Sequence, residues 1–186
     1  MMSHSLSAPA AVGVIGAGTM GQSIAEMLSY ARTVPAGCFV EVGVWQGGTA
    51  WHLSRLAQEE GRQLFLYDTF TGIPVKDEEI DVHNIGEFND TSAEKVAAAI
   101  PHAKVIAGVF PGSAVAMPPV AFANIDVDQY QSVKEAALFL LPKLVRGGIL
   151  WFDDFNCLPG AAKAVYEVFG NWVEQAPVSR KAFVRK

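Results

Sequence analysis

Phe39-Val-Glu41-Val-Gly43-Val-Trp45-Gln-Gly47-Gly48-Thr49 is the stretch on which the fold turns. An apolar run ends in an acid, a glycine-rich turn follows, and helix-forming residues begin at Thr49, which is placed to cap a helix over Thr49–Glu60. Strand, tight loop and helix in that order open a parallel βαβ unit. The next apolar run, Gln63–Tyr67, leads into a second acid, Asp68.

Outward from this unit the alternation continues. Further strands are expected at Lys104–Ile106, Val120–Ile125 and Gly148–Phe152, with Cys38–Val42 as the first of the set. Helices are expected at Ser92–Ile100, Ser132–Leu141 and Gly160–Phe169, with Ser92, Thr91 and Asp90 competing to cap the first of these. Trp172–Glu174 and Lys181–Val184, separated by Pro177, read as a final antiparallel pair. The expectation is an α/β fold with a doubly wound seven-stranded sheet and an antiparallel edge strand. Phe70–Asp90 is the one long irregular stretch, and loops of that length in compact domains tend to carry function.

The whole chain has 186 residues, 51% of them hydrophobic, enough for one domain with one core. A net charge of −5 argues against a nucleic-acid partner, whose phosphates call for a basic surface. No apolar run approaches the roughly 20 residues that span a bilayer, so no membrane partner is expected. Met1–Pro9 lack a basic start and a hydrophobic stretch, and Cys38 and Cys157 have neither zinc-like spacing nor a disulfide framework. A cytoplasmic setting follows. Residues 1–36 are read as an N-terminal leader with a helix over Gln22–Tyr30, and residues 37–186 as the catalytic domain.

Two glycine motifs compete for a cofactor. Gly16-x-Gly18-x-x-Gly21 follows a short apolar run and resembles the start of a 3-hydroxyacyl-CoA dehydrogenase, with Glu41 placed to hold an adenosine ribose. A dehydrogenase of that type needs a second, substrate domain for which the chain has no room. In the other motif, Glu41-x-Gly43-x-x-x-Gly47, the glycines let the backbone pass close to the methionine part of S-adenosylmethionine, and Glu41 reaches its ammonium group. Asp68 is then placed to accept both ribose hydroxyls, with a turn or cap residue as its alternative. The two readings use Glu41 differently and exclude one another.

The acids farther on favour the second. Ile125-Asp126-Val-Asp128 and Phe152-Asp153-Asp154 each put two carboxylates at the end of an apolar strand. Neighbouring parallel strands open into one crevice, so the four converge. Like charges at close range repel unless a cation neutralises them, and carboxylate oxygens suit a hard ion, Mg²⁺ first. Asp126, Asp153 and Asp154 are the candidate ligands and Asp128 the candidate base. In a continuing strand Asp126 and Asp128 project from one face; the alternative makes Asp128 and Asp154 helix caps. His83, beside Asp81 in the long loop, is a second candidate base or an ordinary exposed histidine. Gly108, Phe110 and Ser113 follow the third strand, where an adenine or its ribose rests, or form an ordinary turn. Tyr130, Trp151 and Phe155 are acceptor-pocket or core residues.

These residues resemble the macrocin O-methyltransferase (TylF-like) family, metal-dependent enzymes that methylate sugar hydroxyls on antibiotics and other secondary metabolites. The resemblance runs through the Glu41–Gly48 loop, Tyr67-Asp68-Thr69-Phe70-x-Gly72-Ile-Pro74, Gly86-x-Phe88, Gly108-Val-Phe110-Pro111, Ile125-Asp126-Val-Asp128-x-Tyr130, Gly147-Gly148 and Phe152–Phe155 up to Gly160. It implies a Rossmann-like class I methyltransferase fold and S-adenosylmethionine as cofactor, bound by Glu41, Gly43, Trp45, Gly47, Asp68, Thr69, Phe70, Gly108, Phe110, Ser113 and Asp126. It implies Mg²⁺, or another hard divalent cation, on Asp126, Asp153 and Asp154, with Asp128 as the base. The partner is a small-molecule hydroxyl acceptor, and a homodimer is left open. The family usually carries a longer helical region before the cofactor strand to cover the site, so a shorter lid is expected. A NAD-binding oxidoreductase-like protein and a catalytically degenerate cofactor-binding domain are the alternatives.

Overall fold

Alternation within short apolar strands explains the layering. In β1 (Cys38–Val42) Phe39 faces one side of the sheet, while Cys38, Val40 and Val42 face the other. All five residues are buried, as a strand covered on both faces requires. The computed structural model describes residues 18–186. Beyond β1 the strands are β2 (Leu64–Asp68), β3 (Ala103–Ala107), β4 (Val120–Ile125), β5 (Leu144–Phe152), β6 (Glu174–Gln175) and β7 (Ala182–Arg185). They form a seven-stranded sheet in the order β3-β2-β1-β4-β5-β7-β6. Neighbours along β3-β2-β1-β4-β5 pair in parallel, and β7 runs antiparallel to both β5 and β6.

Among the described residues five α-helices cover the sheet: α1 (Thr19–Ala31), α2 (Gly48–Glu59), α3 (Ala93–Ala99), α4 (Tyr130–Leu140) and α5 (Pro159–Phe169). One face packs Met27 and Ala31 of α1, Leu53 and Leu56 of α2 and Val96 of α3 against Phe39, Leu66, Phe122 and Trp151. The other packs Val133 and Leu140 of α4 with Val165 and Phe169 of α5 against Val40, Ile125 and Phe152. Tyr30 sits on Trp151 and Phe183 at centroid distances of 5.3 and 4.6 Å, and Glu26 accepts hydrogen bonds from the N–H groups of Val178 and Ser179, so α1 is tied to the sheet's antiparallel end. Among the described residues no helix is long and apolar enough to cross a membrane.

Several boundaries depart from expectation. Gly47, at φ 85°, rather than Thr49 is the N-cap of α2, with no side-chain cap bond. Ser92 does cap α3, accepting from Lys95 N–H at 3.2 Å. The expected strand Trp172–Glu174 is instead a 3₁₀ turn, Gly170–Trp172, leading to Glu174–Gln175. β5 begins at Leu144 rather than Gly148, since the Gly147-Gly148 pair continues the strand past Pro35. Of the Gly16-x-Gly18-x-x-Gly21 motif, Gly16 lies outside the described residues. Gly18 is the N-cap of α1 and Gly21 lies in its first turn.

Candidate active site

The order of strands reverses between β1 and β4, and the crevice at that switch point is where ligands of open α/β sheets bind. A pocket of about 680 Å³ opens there, lined by the carboxyl ends of β1, β2, β4 and β5 and walled by the first turns of α1.

On the β1–β2 side the loop is braced from within. Gly43 has φ 88°, and a Cβ there would lie 1.6 Å from the Asp126 carbonyl oxygen. Its glycine is thus demanded first by the contact between two strand ends, not by a ligand. Asp68 accepts from the backbone N–H groups of Val44 (2.7 Å) and Trp45 (2.8 Å) through Oδ2 and of Phe70 (2.7 Å) through Oδ1. The indole N–H of Trp45 and the amide of Gln46 both donate to Asp90, which fastens the loop to the far end of the 69–92 segment. Glu41 is fully enclosed and sits opposite Asn124 on β4, whose amide donates to its Oε1 at 3.0 Å. Among the described residues its Oε2 has no hydrogen-bond partner. Burial pushes the Glu41 carboxyl up to about 8, with the charges of Asp153 and Asp68 adding to the effect and the Asn124 bond opposing it.

On the β4–β5 side, ligand oxygens of Asp126, Asp153 and Asp154 all lie within 4.8 Å of one another. Burial first, then the charges of Asp153, Asp154, Asp128 and Glu41, raises the Asp126 carboxyl well above the ordinary range. Asp154 is lifted to about 7 by burial and by Asp128 and Asp153. Lys181 Nζ meets Asp153 Oδ2 at 2.8 Å, and that attraction overcomes the burial that disfavours its charge. The lysine therefore pairs with one of the four acids, and among the described residues Asp126 and Asp154 have no ion-pair partner of their own. An all-carboxylate set this crowded fits a hard divalent ion.

Asp128 is not where a continuing strand would carry it. β4 ends at Ile125, and Asp128 takes a left-handed conformation, φ 58°. Its N–H donates to Asp154 Oδ2 at 3.0 Å. It does not cap α4 either: Tyr130 N–H donates to Asp81 Oδ1, from the long loop, at 2.8 Å. Asp128 nevertheless lines the pocket, its carboxyl raised chiefly by burial.

Of the expected cofactor residues, Glu41, Gly43, Trp45 and Asp68 line the pocket, as do Thr69, Gly108, Phe110 and Asp126. Gly47, Phe70 and Ser113 do not. Gly47 caps α2, Phe70 packs on the core, and the Ser113 hydroxyl donates to the Gly108 carbonyl at 3.3 Å. Asp153 lines the pocket and Asp154 stands behind it, bonded to Asp128. Tyr130, Trp151 and Phe155 belong to the packed interior rather than the pocket wall. Lys181, Asn124 and Asp81 had no local signal in the sequence, because each acts on a residue more than 25 positions away.

Residues 7–172 match the model of the family described as Macrocin-O-methyltransferase (TylF). A curated relative from Streptomyces olivaceus, 8-demethyl-8-(2,3-dimethoxy-alpha-L-rhamnosyl)-tetracenomycin-C 4'-O-methyltransferase, is 25% identical over 77% of this chain, which spans 62% of that relative's length. The structure of the O-methyltransferase NovP superposes with a TM-score of 0.75 at 21% identity, over 89% of this chain and 79% of that one. CalS11, a calicheamicin methyltransferase, gives 0.72 at 21% identity over 88% and 78%. These two likenesses bear out the Rossmann-like methyltransferase fold.

Proposed function

This chain belongs to the macrocin O-methyltransferase (TylF) family, and on that premise we propose that it moves the methyl group of S-adenosylmethionine to a hydroxyl of a small molecule, a sugar or secondary metabolite, with Mg²⁺ assisting. The observation that carries the reading is the meeting of the braced Glu41–Trp45 loop and the Asp126, Asp128 and Asp153 carboxylates in one pocket at the switch point, with Asp154 directly behind them. The S. olivaceus relative acts, by its name, on a rhamnosyl group, which motivates a sugar acceptor.

Within this reading Glu41 Oε2, an enclosed acceptor, takes the cofactor's ammonium group, which would also hold the carboxyl ionised. Asp68 keeps its three backbone bonds and offers its remaining lone pair to a ribose hydroxyl. Asp126, Asp153 and Asp154 would hold the cation, which when bound lowers the pKa of a hydroxyl it touches. Asp128 takes the hydroxyl proton as the oxygen attacks the methyl carbon in line. The first turns of α1 wall that side of the pocket. The same reading sets the enzyme in the cytoplasm, with a small molecule as partner.

Thermal shift decides the cofactor. S-adenosylhomocysteine should raise the melting temperature and NAD should not; NAD binding with no response to S-adenosylhomocysteine would overturn the proposal. Methylation of a rhamnoside panel, lost in EDTA and restored by Mg²⁺, tests the reaction.

A further inference from the structure

His83 stands between two carboxylates. Its Nδ1 is 2.8 Å from Glu87 Oε2, and its Nε2 is 3.8 Å from Asp128 Oδ1. The loop that carries it is bound to the site at several points. The fully buried Gln129 donates from its amide to the His83 carbonyl at 2.9 Å, and Asp81 accepts from Tyr130 N–H two residues away in the loop. Glu87 is itself fixed by the backbone and side-chain N–H groups of Asn84, at 3.0 and 2.8 Å. The edge of the imidazole meets Phe88 at a centroid distance of 5.1 Å, and Phe88 lines the pocket. This is an oriented ring rather than a histidine loose on a surface loop.

The orientation sets the chemistry. Glu87 as an acceptor selects the neutral tautomer with its hydrogen on Nδ1. The lone pair on Nε2 then points toward Asp128. We propose that His83, oriented by Glu87, is a positioning residue that receives from Asp128 the proton removed from the acceptor hydroxyl. The inference rests on the methyl-transfer reading. In the step, the O–H bond breaks and its proton goes to Asp128 as the new O–CH₃ bond forms. The S–CH₃ bond breaks with its electron pair left on sulfur. Asp128 then passes the proton to Nε2, the imidazolium is held by Glu87, and the proton leaves to water at the exposed side of the loop. The 3.8 Å separation is one side-chain adjustment from hydrogen-bond range, as catalytic contacts often are before substrate binds.

Two arms test this. In histidine ¹⁵N spectra of the free protein, neutral His83 should carry its proton on Nδ1 and none on Nε2. A spectrum with the proton on Nε2 overturns the inference, whatever the enzyme's activity. In the second arm, His83→Ala and His83→Asn are compared on a rhamnoside that the parent methylates. His83→Asn keeps an amide near the Nδ1 position for Glu87 but has nothing in place of Nε2. Both variants should bind S-adenosylhomocysteine like the parent and lose turnover roughly 10–100-fold, the usual worth of a partner that orients a reacting group, with KM unchanged. Added imidazole should rescue His83→Ala. Full activity in His83→Asn, or no rescue, makes His83 a loop anchor and sinks the proposal. A parent that methylates no rhamnoside counts against the acceptor reading, while the tautomer still decides the role of His83.

Discussion

The two halves of the pocket are built on opposite principles. At the ends of β1 and β2, Asp68 takes three backbone N–H groups of its own neighbourhood, and Trp45 and Gln46 lean on Asp90. At the ends of β4 and β5, four acids crowd together with Lys181 meeting one of them. In the first half the loop is braced by its own hydrogen bonds and shaped before a ligand arrives, with Glu41 Oε2 the acceptor left open. The second holds charges whose repulsion and burial raise Asp126 and Asp154, a tension that an added cation relieves. Preformed geometry suits recognition of one cofactor, and unrelieved charge suits a site completed by an ion.

The largest effect should come from breaking the braced half. Gly43→Val combines a positive φ with a Cβ 1.6 Å from the Asp126 carbonyl, so β1 and β4 must part at the pocket floor. We expect loss of roughly 3 kcal/mol or more of stability and no thermal shift with S-adenosylhomocysteine. A variant that melts and binds like the parent would mean the two strand ends are not held together as described.

Next is the base. Asp128→Asn keeps the residue's size and polarity but not its proton affinity, so turnover should fall roughly 10²–10⁴-fold with cofactor and Mg²⁺ binding nearly intact. Equal losses of metal affinity and rate would move Asp128 into the ligand set.

The third contrast is thermodynamic. Glu41 rises from 4.5 to about 8 and Asp154 from 3.8 to about 7 in the folded protein. A folded state that binds protons more tightly than the unfolded chain loses stability as pH rises through that window. The metal-free protein should therefore melt lower at pH 8.5 than at pH 6 in calorimetry. Mg²⁺ should recover much of the difference, and a melting temperature independent of pH in EDTA would remove the argument from charge tension.

The smallest change is expected at Lys181. Lys181→Met removes the cation paired with Asp153, so Mn²⁺ should bind several-fold tighter by titration calorimetry, a difference of about 1 kcal/mol. Weaker binding would show that the lysine helps to hold the site together rather than competing for it.

The strand cores were legible because alternation and apolar runs are local. Cys38–Val42 and Val120–Ile125 were located to the residue, and the acids at strand ends followed from them. Pairing was less accessible. Trp172 at the antiparallel end was read as strand where the chain makes a 3₁₀ turn, because β6 pairs with β7 at the sheet edge and has little pattern of its own. Asp128 was expected to continue β4. Its backbone instead turns left-handed, and its N–H donates to Asp154 in the 3₁₀ turn after β5.

By itself the sequence determined the kinds of groups that meet: an acid and glycines after the first strand, an acid after the second, and paired acids after the fourth and fifth. Periodicity and turn chemistry act over a few residues, and a linear chain displays them directly. Only the tertiary structure decided the partners. Asn124 came to Glu41 and Lys181 to Asp153 through strand order, and Asp81 and His83 reached the β4–α4 turn when the long loop folded back. Those contacts join residues 28 to 83 positions apart in the chain. What brings them together is the burial of both sheet faces, a property of the whole core that no single segment carries.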